Sequence, residues 1–572
     1  MLPTRRQFLQ ASSLAGLAAV TGCASRGGLP EREISCDLAI LGGGVGGCAA
    51  ALAACRQGLR VVLTEPTDWI GGQLTSQGVP PDEHPWIEQF GCTRSYRGFR
   101  EGVRDHYRAD PLLIDSARAS RLLNPGNGWV SRLCHEPRVA HTVLQQLLAA
   151  DVAAGRLRIL TRHELIGATS HADRVTSATV RDLESGHERT LVAPWFIDAT
   201  ELGDLLPLAG VEHVIGAESR RETGELHAPE QANPLDQQSF TWCFALEYRP
   251  EDKDGNRIPR PADYEFWRDY IPTMKPAWTG RLFNWTSTHP ITLGPRALVF
   301  DPSLKTSQNN LWTYRRIVDA ALWKPGSERH DQSLANWPQN DYWLGPLAGV
   351  PAATAAKHLR RSRDLSLSLV HWMQTEAPLP DGGTGWPEVR LCPGVLGTPD
   401  GLAKAAYIRE SRRIRAEFTV LEQHVGVDAR MAATGLTKER VRAEAFHDSV
   451  GVGAYRIDLH PGTGGGNYID VGSLPFQIPL GALIPRRVEN LLAGAKNLGV
   501  THITNGCYRL HPVEWNIGES AGALAAWCAS HRLVPRQVRN QRTHLEAFQA
   551  ELDRQGVERA WPENAQPPLH PL

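Results

Sequence analysis

The sequence predicts an α/β chain. A nucleotide-binding domain built on a parallel sheet is interrupted by a less regular α+β lobe. Three observations predict this. First, the apolar run 38–41 is followed at once by Gly42-x-Gly44-x-x-Gly47, then by small helix formers at 49–54 and a second β-rich run, 60–64, closed by Glu65. Second, two later apolar runs, one ending Asp198-Ala199-Thr200 and one ending at Gly494, have the form of further buried strands. Third, residues 216–470 are dense in Pro, Trp, Asn and Asp, with helical periodicity only at 349–376 and 399–425. The expected layout is therefore a first part at 36–215, an inserted substrate lobe at 216–470, a return at 471–532, and a charged, Pro-rich end at 533–572 with a helix near 544–554.

The glycines divide the work of the first loop. Gly42 permits the tight turn, Gly44 lets backbone approach a pyrophosphate, and Gly47 lets helix and strand pack closely. Gly43 and Gly46 belong to the same loop. An anionic diphosphate is favoured at the helix N-terminus by its free N–H groups and dipole. Glu65, 18 residues after Gly47, is placed to accept bonds from ribose hydroxyls. This strand–helix–strand–acid context is the Rossmann-like arrangement that a bare glycine pattern lacks.

The residues after Glu65 point to FAD. Residues 68–78, with Gly72, Gln73 and Thr75, resemble the second glycine segment of flavoproteins of the glutathione-reductase type. Residues 195–204 resemble the second flavin motif of that group, with Asp198 and Thr200 in place but Glu201 where Gly is usual. Residues 489–500 supply Gly494 and Asn497, and a small-residue helix carrying Gly518 comes after them. Taken together, the chain resembles the bacterial FAD-dependent oxidoreductase family, some relatives of which carry a xanthan lyase label. The likeness also runs through 216–219, 229–234, 336–342, 394–398 and 408–414. It implies a glutathione-reductase-type FAD domain whose last helix points its N-terminus at the flavin.

Oxidation of an alcohol or amine by a flavin needs a base for the departing proton. His502, Tyr508, His511 and Glu514 are expected on a loop ahead of the flavin-facing helix, with His502 or His511 as the base. Arg509 could hold an anionic group. His460, beside the Gly-rich loop 462–466, is a further candidate. Trp285, Trp312, Trp337 and Trp343 are candidates for a substrate wall. Two rival classes stand beside the oxidoreductase. Gly518-Glu519-Ser520-Ala521-Gly522 fits the nucleophile elbow of a hydrolase, or serves a lyase through Ser520. A flavoprotein that carries electrons without acting on a substrate is the other.

The chain begins with Thr4-Arg5-Arg6-Gln7-Phe8-Leu9, which resembles a twin-arginine export motif, and an apolar run over 11–20 too short to span a bilayer. Val20-Thr21-Gly22-Cys23 resembles a lipobox. The expectation is an export signal at 1–22, a lipid anchor at Cys23 with a linker at 23–35, and a place on the periplasmic face of a membrane. The 61 Lys+Arg against 62 Asp+Glu give a net charge of -1, and removing Arg5 and Arg6 leaves -3. Without a basic patch, nucleic acid is not expected as a partner. No Cys-x-x-Cys or His-Glu-x-x-His spacing supports a metal site, and no disulfide pairing stands out among the ten cysteines. The partners expected are a small-molecule substrate, with a carbohydrate as one candidate, and an acceptor such as oxygen, a quinone or a cytochrome. A single dinucleotide fingerprint disfavours NAD(P)H as donor.

Overall fold

The computed structural model describes residues 32–253, 255–304, 309–563 and 565. The expected signal and Cys23 lie outside the described residues. Five short strands, β1 (Leu38–Leu41), β2 (Val61–Glu65), β3 (Leu157–Thr161), β4 (Trp195–Asp198) and β5 (Leu491–Ala493), form one parallel sheet in the order β5-β4-β1-β2-β3. β1, β2, β4 and β5 are buried throughout, which is why they read as unbroken apolar runs rather than alternating ones. Register brings their carboxyl ends level: Leu41 lies opposite Thr64 and Asp198, and Asp198 opposite Ala493. The chain runs from β1 outward to β3, then returns to place β4 on the other side of β1. The crevice at that reversal is where open α/β sheets bind ligands.

Helix α1 (Val45–Arg56) starts in this crevice. Helices α2 (Arg94–Arg108) and α3 (Pro137–Ala153) precede β3, and α4 (Ala352–Thr375) belongs to the middle of the chain. Near the end, α5 (His502–Tyr508) and α6 (His511–His531) come after β5. α6 crosses α1 at glycines. A β-carbon on Gly518 would stand 2.0 Å from Gly46 O, and one on Gly522 would stand 2.2 Å from Ala50 O. Only glycine permits backbones this close. An antiparallel layer of His163–His171, Arg174–Asp182 and Glu188–Val192 is extended by Glu33–Ser35, parallel to the last of them.

The middle of the chain builds an antiparallel sheet in the order Arg316–Val318, Asp331–Ala335, Phe244–Tyr248, Val389–Leu391. Its apolar core joins Phe244 and Leu246 to Leu365, Leu369 and Met373 of α4 and to Trp267, Trp312 and Trp337. The helix expected over 399–425 is replaced by an extended path with a two-residue strand, Arg413–Ile414, and a short helix, Glu422–Val425. Here backbone is recruited across the chain: Tyr407 and Thr241 exchange N–H···O bonds, and Ala403 N–H donates to Cys243 O. Among the described residues no helix is long and apolar enough to cross a membrane, and no group of His, Cys, Asp or Glu could hold a metal ion. The nine described cysteines are all free and buried.

Candidate active site

The glycine loop shows two kinds of glycine. Gly42 turns at φ +101°, and a β-carbon there would meet Ala199 O at 2.2 Å; Gly47 would meet Gly42 O at 2.0 Å, and Gly46 would meet Gly494 O at 1.9 Å. These three, with Gly518, pack backbone on backbone. Gly44 and Gly72 instead pack against each other at the start of α1. A β-carbon on Gly72 would lie 2.9 Å from Gly44 Cα, and one on either residue would lie 2.9 Å from Glu201 Oε1. Gly43 N–H donates to Glu65 Oε2 (3.2 Å), while Glu65 Oε1 accepts from the N–H and O–H of Thr67 (2.9 and 2.7 Å). Burial pushes the Glu65 carboxyl up to about 7.

On the β4 side, Asp198 Oδ1 accepts from Thr200 N–H (3.0 Å) and O–H (2.7 Å), its Oδ2 has no hydrogen-bond partner, and burial raises it to about 7. Asn497 Nδ2 donates to Asp198 O (2.9 Å), as does Gly494 N–H (2.8 Å), so these residues pin β5 to β4. Thr75 is likewise occupied within its loop, donating to Ile70 O (2.6 Å). Gln73 reaches further. Its Nε2 donates to Glu514 Oε2 (2.8 Å) and Arg509 O (3.0 Å), and its Oε1 is buried without a partner. Glu514 Oε1 accepts from Gly46 N–H (3.4 Å), and Lys496 lies 3.5 Å from Glu514 Oε2 while pairing with Glu201. The start of α1 is thus surrounded by Gly44 and Gly72, by the Glu201, Lys496 and Glu514 charges and by Glu65 at the end of β2, and Gln73 Oε1 and Asp198 Oδ2 on the flanking segments are buried without partners. That donor and acceptor set fits FAD.

The four residues expected on a loop are helical instead. His502 begins α5; its Nδ1 lies 2.9 Å from Glu410 Oε2, and its N–H donates to Glu218 Oε2 (2.9 Å). Burial pulls this imidazole down, but the Glu410 charge outweighs it and the net shift is upward, while Glu410 sits at about 2 despite its burial, through His502 and Arg413. His502 is thus held in an ion-pair cluster. Tyr508 donates to Gln477 O (2.7 Å) and stacks on Phe476 at 4.3 Å. His511 Nδ1 accepts from Asp82 N–H (3.0 Å), and its Nε2 has no hydrogen-bond partner. Accepting at Nδ1 places the proton on Nε2, so the neutral ring can donate there but cannot take a further proton without charging in a site whose burial holds it well below its ordinary value.

A cavity of about 1140 Å³ opens beside this site, lined among others by Arg296, Tyr314, Arg315, Asp458, His460 and Tyr468. In it, His460 Nδ1 lies 2.6 Å from Asp341 Oδ2, and His460 Nε2 lies 3.6 Å from Asp458 Oδ2. Asp341 is fully buried. Its Oδ1 takes Thr241 O–H (2.5 Å) and stands 3.0 Å from Arg409, which with His460 brings it below the usual carboxylate range against the effect of burial. An ionised Asp341 fixes a His460 proton on Nδ1, while Nε2 faces Asp458 across 3.6 Å. Arg509 links cavity and glycine site: its backbone oxygen accepts from Gln73, and its guanidinium donates to Tyr407 Oη (2.7 Å) and Asp458 Oδ2 (3.3 Å).

A family model described as FAD dependent oxidoreductase matches residues 37–552. The chain belongs to that family. FAD is therefore the cofactor of this oxidoreductase. It is also 32% identical over 106 residues to dihydrolipoyl dehydrogenase 2, chloroplastic, of Arabidopsis thaliana, an alignment covering 16% of this chain and 18% of that protein. Solved structures similar to the oxidoreductase include a geranylgeranyl bacteriochlorophyll reductase-like protein from Thermoplasma acidophilum (11% identical, 92% of this chain and 85% of that one, TM-score 0.32). Another is a myxobacterial chondrochloren halogenase, a variant of FAD-dependent halogenases (20% identical, 40% and 46%, TM-score 0.21).

Within the oxidoreductase, Gly43, Gly44, Glu65, Gly72 and Gln73 line or border the glycine site, whereas Gly42, Gly46, Gly47, Gly494, Asn497, Thr75 and Gly518 shape the backbone around it. Ser520 is not on an elbow. It lies in the tenth position of α6, buried, donating to Val450 O (2.9 Å) and accepting from Asn516 (3.1 Å), which removes the hydrolase and lyase reading that depended on it. Of the four tryptophans considered as substrate wall, Trp337 lines the cavity, as does the exposed Trp129. Trp312 and Trp343 are buried in the lobe core, and Trp285 stacks on Phe300. Sequence reasoning missed Asp341, Lys496, Arg296 and Arg315. Asp341 lies 119 residues before its histidine, so no local spacing could disclose the pair.

Proposed function

We propose that this chain oxidises a small substrate at a C–OH or C–NH group, with His460 as the base. The observation that supports it most is the Asp341–His460 pair opening into a cavity joined to the glycine site by Arg509 and Gln73. Bound FAD supplies a two-electron acceptor. The glycine loop, Glu65 and Gly72 would hold it. His460 Nε2 takes the proton from the substrate hydroxyl or ammonium, and Asp341 stabilises the resulting imidazolium. His502 and His511, favoured by the sequence, serve this role less well: neither lines the cavity, and His511 already carries its proton on a buried Nε2.

The reading extends to export and a lipid anchor at Cys23, supported by the twin-arginine and lipobox resemblance, and to oxygen, a quinone or a cytochrome as acceptor. The test is the visible spectrum of the purified protein during anaerobic addition of alcohols, sugars, hydroxy acids and amines. A flavin spectrum bleached by one class, with the bleaching rate lowered by about 10²–10⁴ in His460→Gln, is the expected result. A yellow protein that nothing bleaches would leave an electron carrier. Bleaching at an undiminished rate in His460→Gln would remove the base.

A further inference from the structure

The cavity is rich in charge, and most of it is already matched. Glu83 pairs with Arg100, Glu88 with Arg100 and Arg104, Arg456 with Asp470, and Asp458 with Arg509. Three arginines are not: the exposed Arg132, Arg296 and Arg315. Among the described residues neither Arg296 nor Arg315 has a carboxylate within 4.0 Å, although both line the cavity. Arg315 donates from Nη1 to Asn336 O (2.6 Å), while its Nε is buried with no hydrogen-bond partner. It lies against the Tyr314 ring, 5.0 Å from the centroid. Asp82 feels its field but makes no ion pair with it. Arg315 is half-buried, so its charge and its orphaned Nε–H are only partly hydrated, and its guanidinium fork matches a carboxylate.

We infer that Arg315, with Arg296, binds a carboxylate of the substrate, so that the chain acts on a small organic acid bearing an oxidisable hydroxyl or amine. This rests on the oxidation reading above for the chemistry, but not for the binding. For a hydroxy acid the reaction balances. The C–H bond breaks and its electron pair leaves as a hydride to FAD. The O–H proton goes to His460 Nε2, and the product is the oxo acid. The carboxylate is not altered. It fixes which end of the molecule faces the base.

The experiment uses the FAD-loaded protein. 2-Hydroxy-2-methylpropanoate carries the carboxylate and hydroxyl but no hydrogen on the carbinol carbon, so it can bind without being oxidised. It is titrated against the flavin spectrum beside its uncharged amide. The acid is expected to perturb the spectrum saturably and the amide to bind at least 100-fold more weakly. Arg315→Met should erase that preference, and Arg315→Lys should restore part of it. Equal binding of acid and amide, or full acid binding by Arg315→Met with its flavin intact, overturns the inference. Should the Met variant fail to retain FAD, the acid–amide comparison in the unaltered protein decides alone. Matched hydroxy acids and diols then separate the two readings. Acids that perturb but never bleach the flavin leave the carboxylate site standing and sink the oxidation. Diols that bleach while acids neither bleach nor bind do the reverse.

Discussion

At the scale of single residues, Glu65 gives a pH signature that can be isolated. Its carboxyl is raised to about 7 from an ordinary 4.5. Between those values the folded state holds a proton that the unfolded state has lost, so stability falls as pH rises through that window. Glu65→Gln removes the titration. In flavin-stripped protein, the stability of the native chain relative to the variant should therefore drop by about 3 kcal/mol between pH 4.5 and 7, at roughly 1.4 kcal/mol per unit. Urea unfolding at pH 5 and 7.5 checks this, and a difference that does not move with pH refutes it. Glu65 was legible because a strand, a glycine loop and a fixed spacing all lie within 30 residues of it. His460 was legible only as a candidate, because its meaning depends on Asp341.

At the scale of elements, the α1–α6 crossing makes the firmest demand. Gly522→Ala would drive a methyl to 2.2 Å from Ala50 O. Backbone cannot yield like a side chain, so the loss should exceed the roughly 1–3 kcal/mol of ordinary overpacking, read as a lowered unfolding midpoint with weakened FAD retention. Gly98 in α2 is the control: a β-carbon there meets nothing within 4 Å, and Gly98→Ala should gain about 0.5–1 kcal/mol. The sequence disclosed α1, bounded by glycine and by strands on either side. It hid α5. All seven residues of α5 are buried, so it shows no alternation of apolar and polar faces, and its Thr, Asn and Gly read as loop. The signal that could have found it is Thr501, whose side chain accepts from Thr504 N–H as an N-cap (3.1 Å).

At the scale of the whole molecule, Arg413 joins segments far apart in sequence. Fully buried, it pairs with Glu410 and Glu218 and donates to Gly216 O. Glu218 in turn accepts the His502 N–H, so residues 216–218, 410–413 and the start of α5 meet around one guanidinium. Arg413→Met takes one of two cationic partners from buried Glu410 and the arginine from half-buried Glu218, and should destabilise by about 3 kcal/mol. Calorimetry should show this as one lowered transition, and an unchanged midpoint would count against it. Arg542, exposed beside Glu546, should be replaceable by Ala with no measurable change. Such long-range ties are what a sequence conceals best: 399–425 carries the charged residues of a surface helix, yet Arg409, Glu410 and Arg413 are all inside.

The parallel sheet also sets a clock. Its edge strand β5 and the helix that covers α1 come from residues 491–531, whereas β1, α1 and β2 are complete by Glu65. On a ribosome moving at about 5–20 residues per second, roughly 20 to 95 seconds separate the two. Throughout that interval the glycine face of α1 has no partner, and β4 presents an open edge once it is made. The nascent chain therefore cannot close around FAD as it emerges. That closure waits until residue 531 has been synthesised.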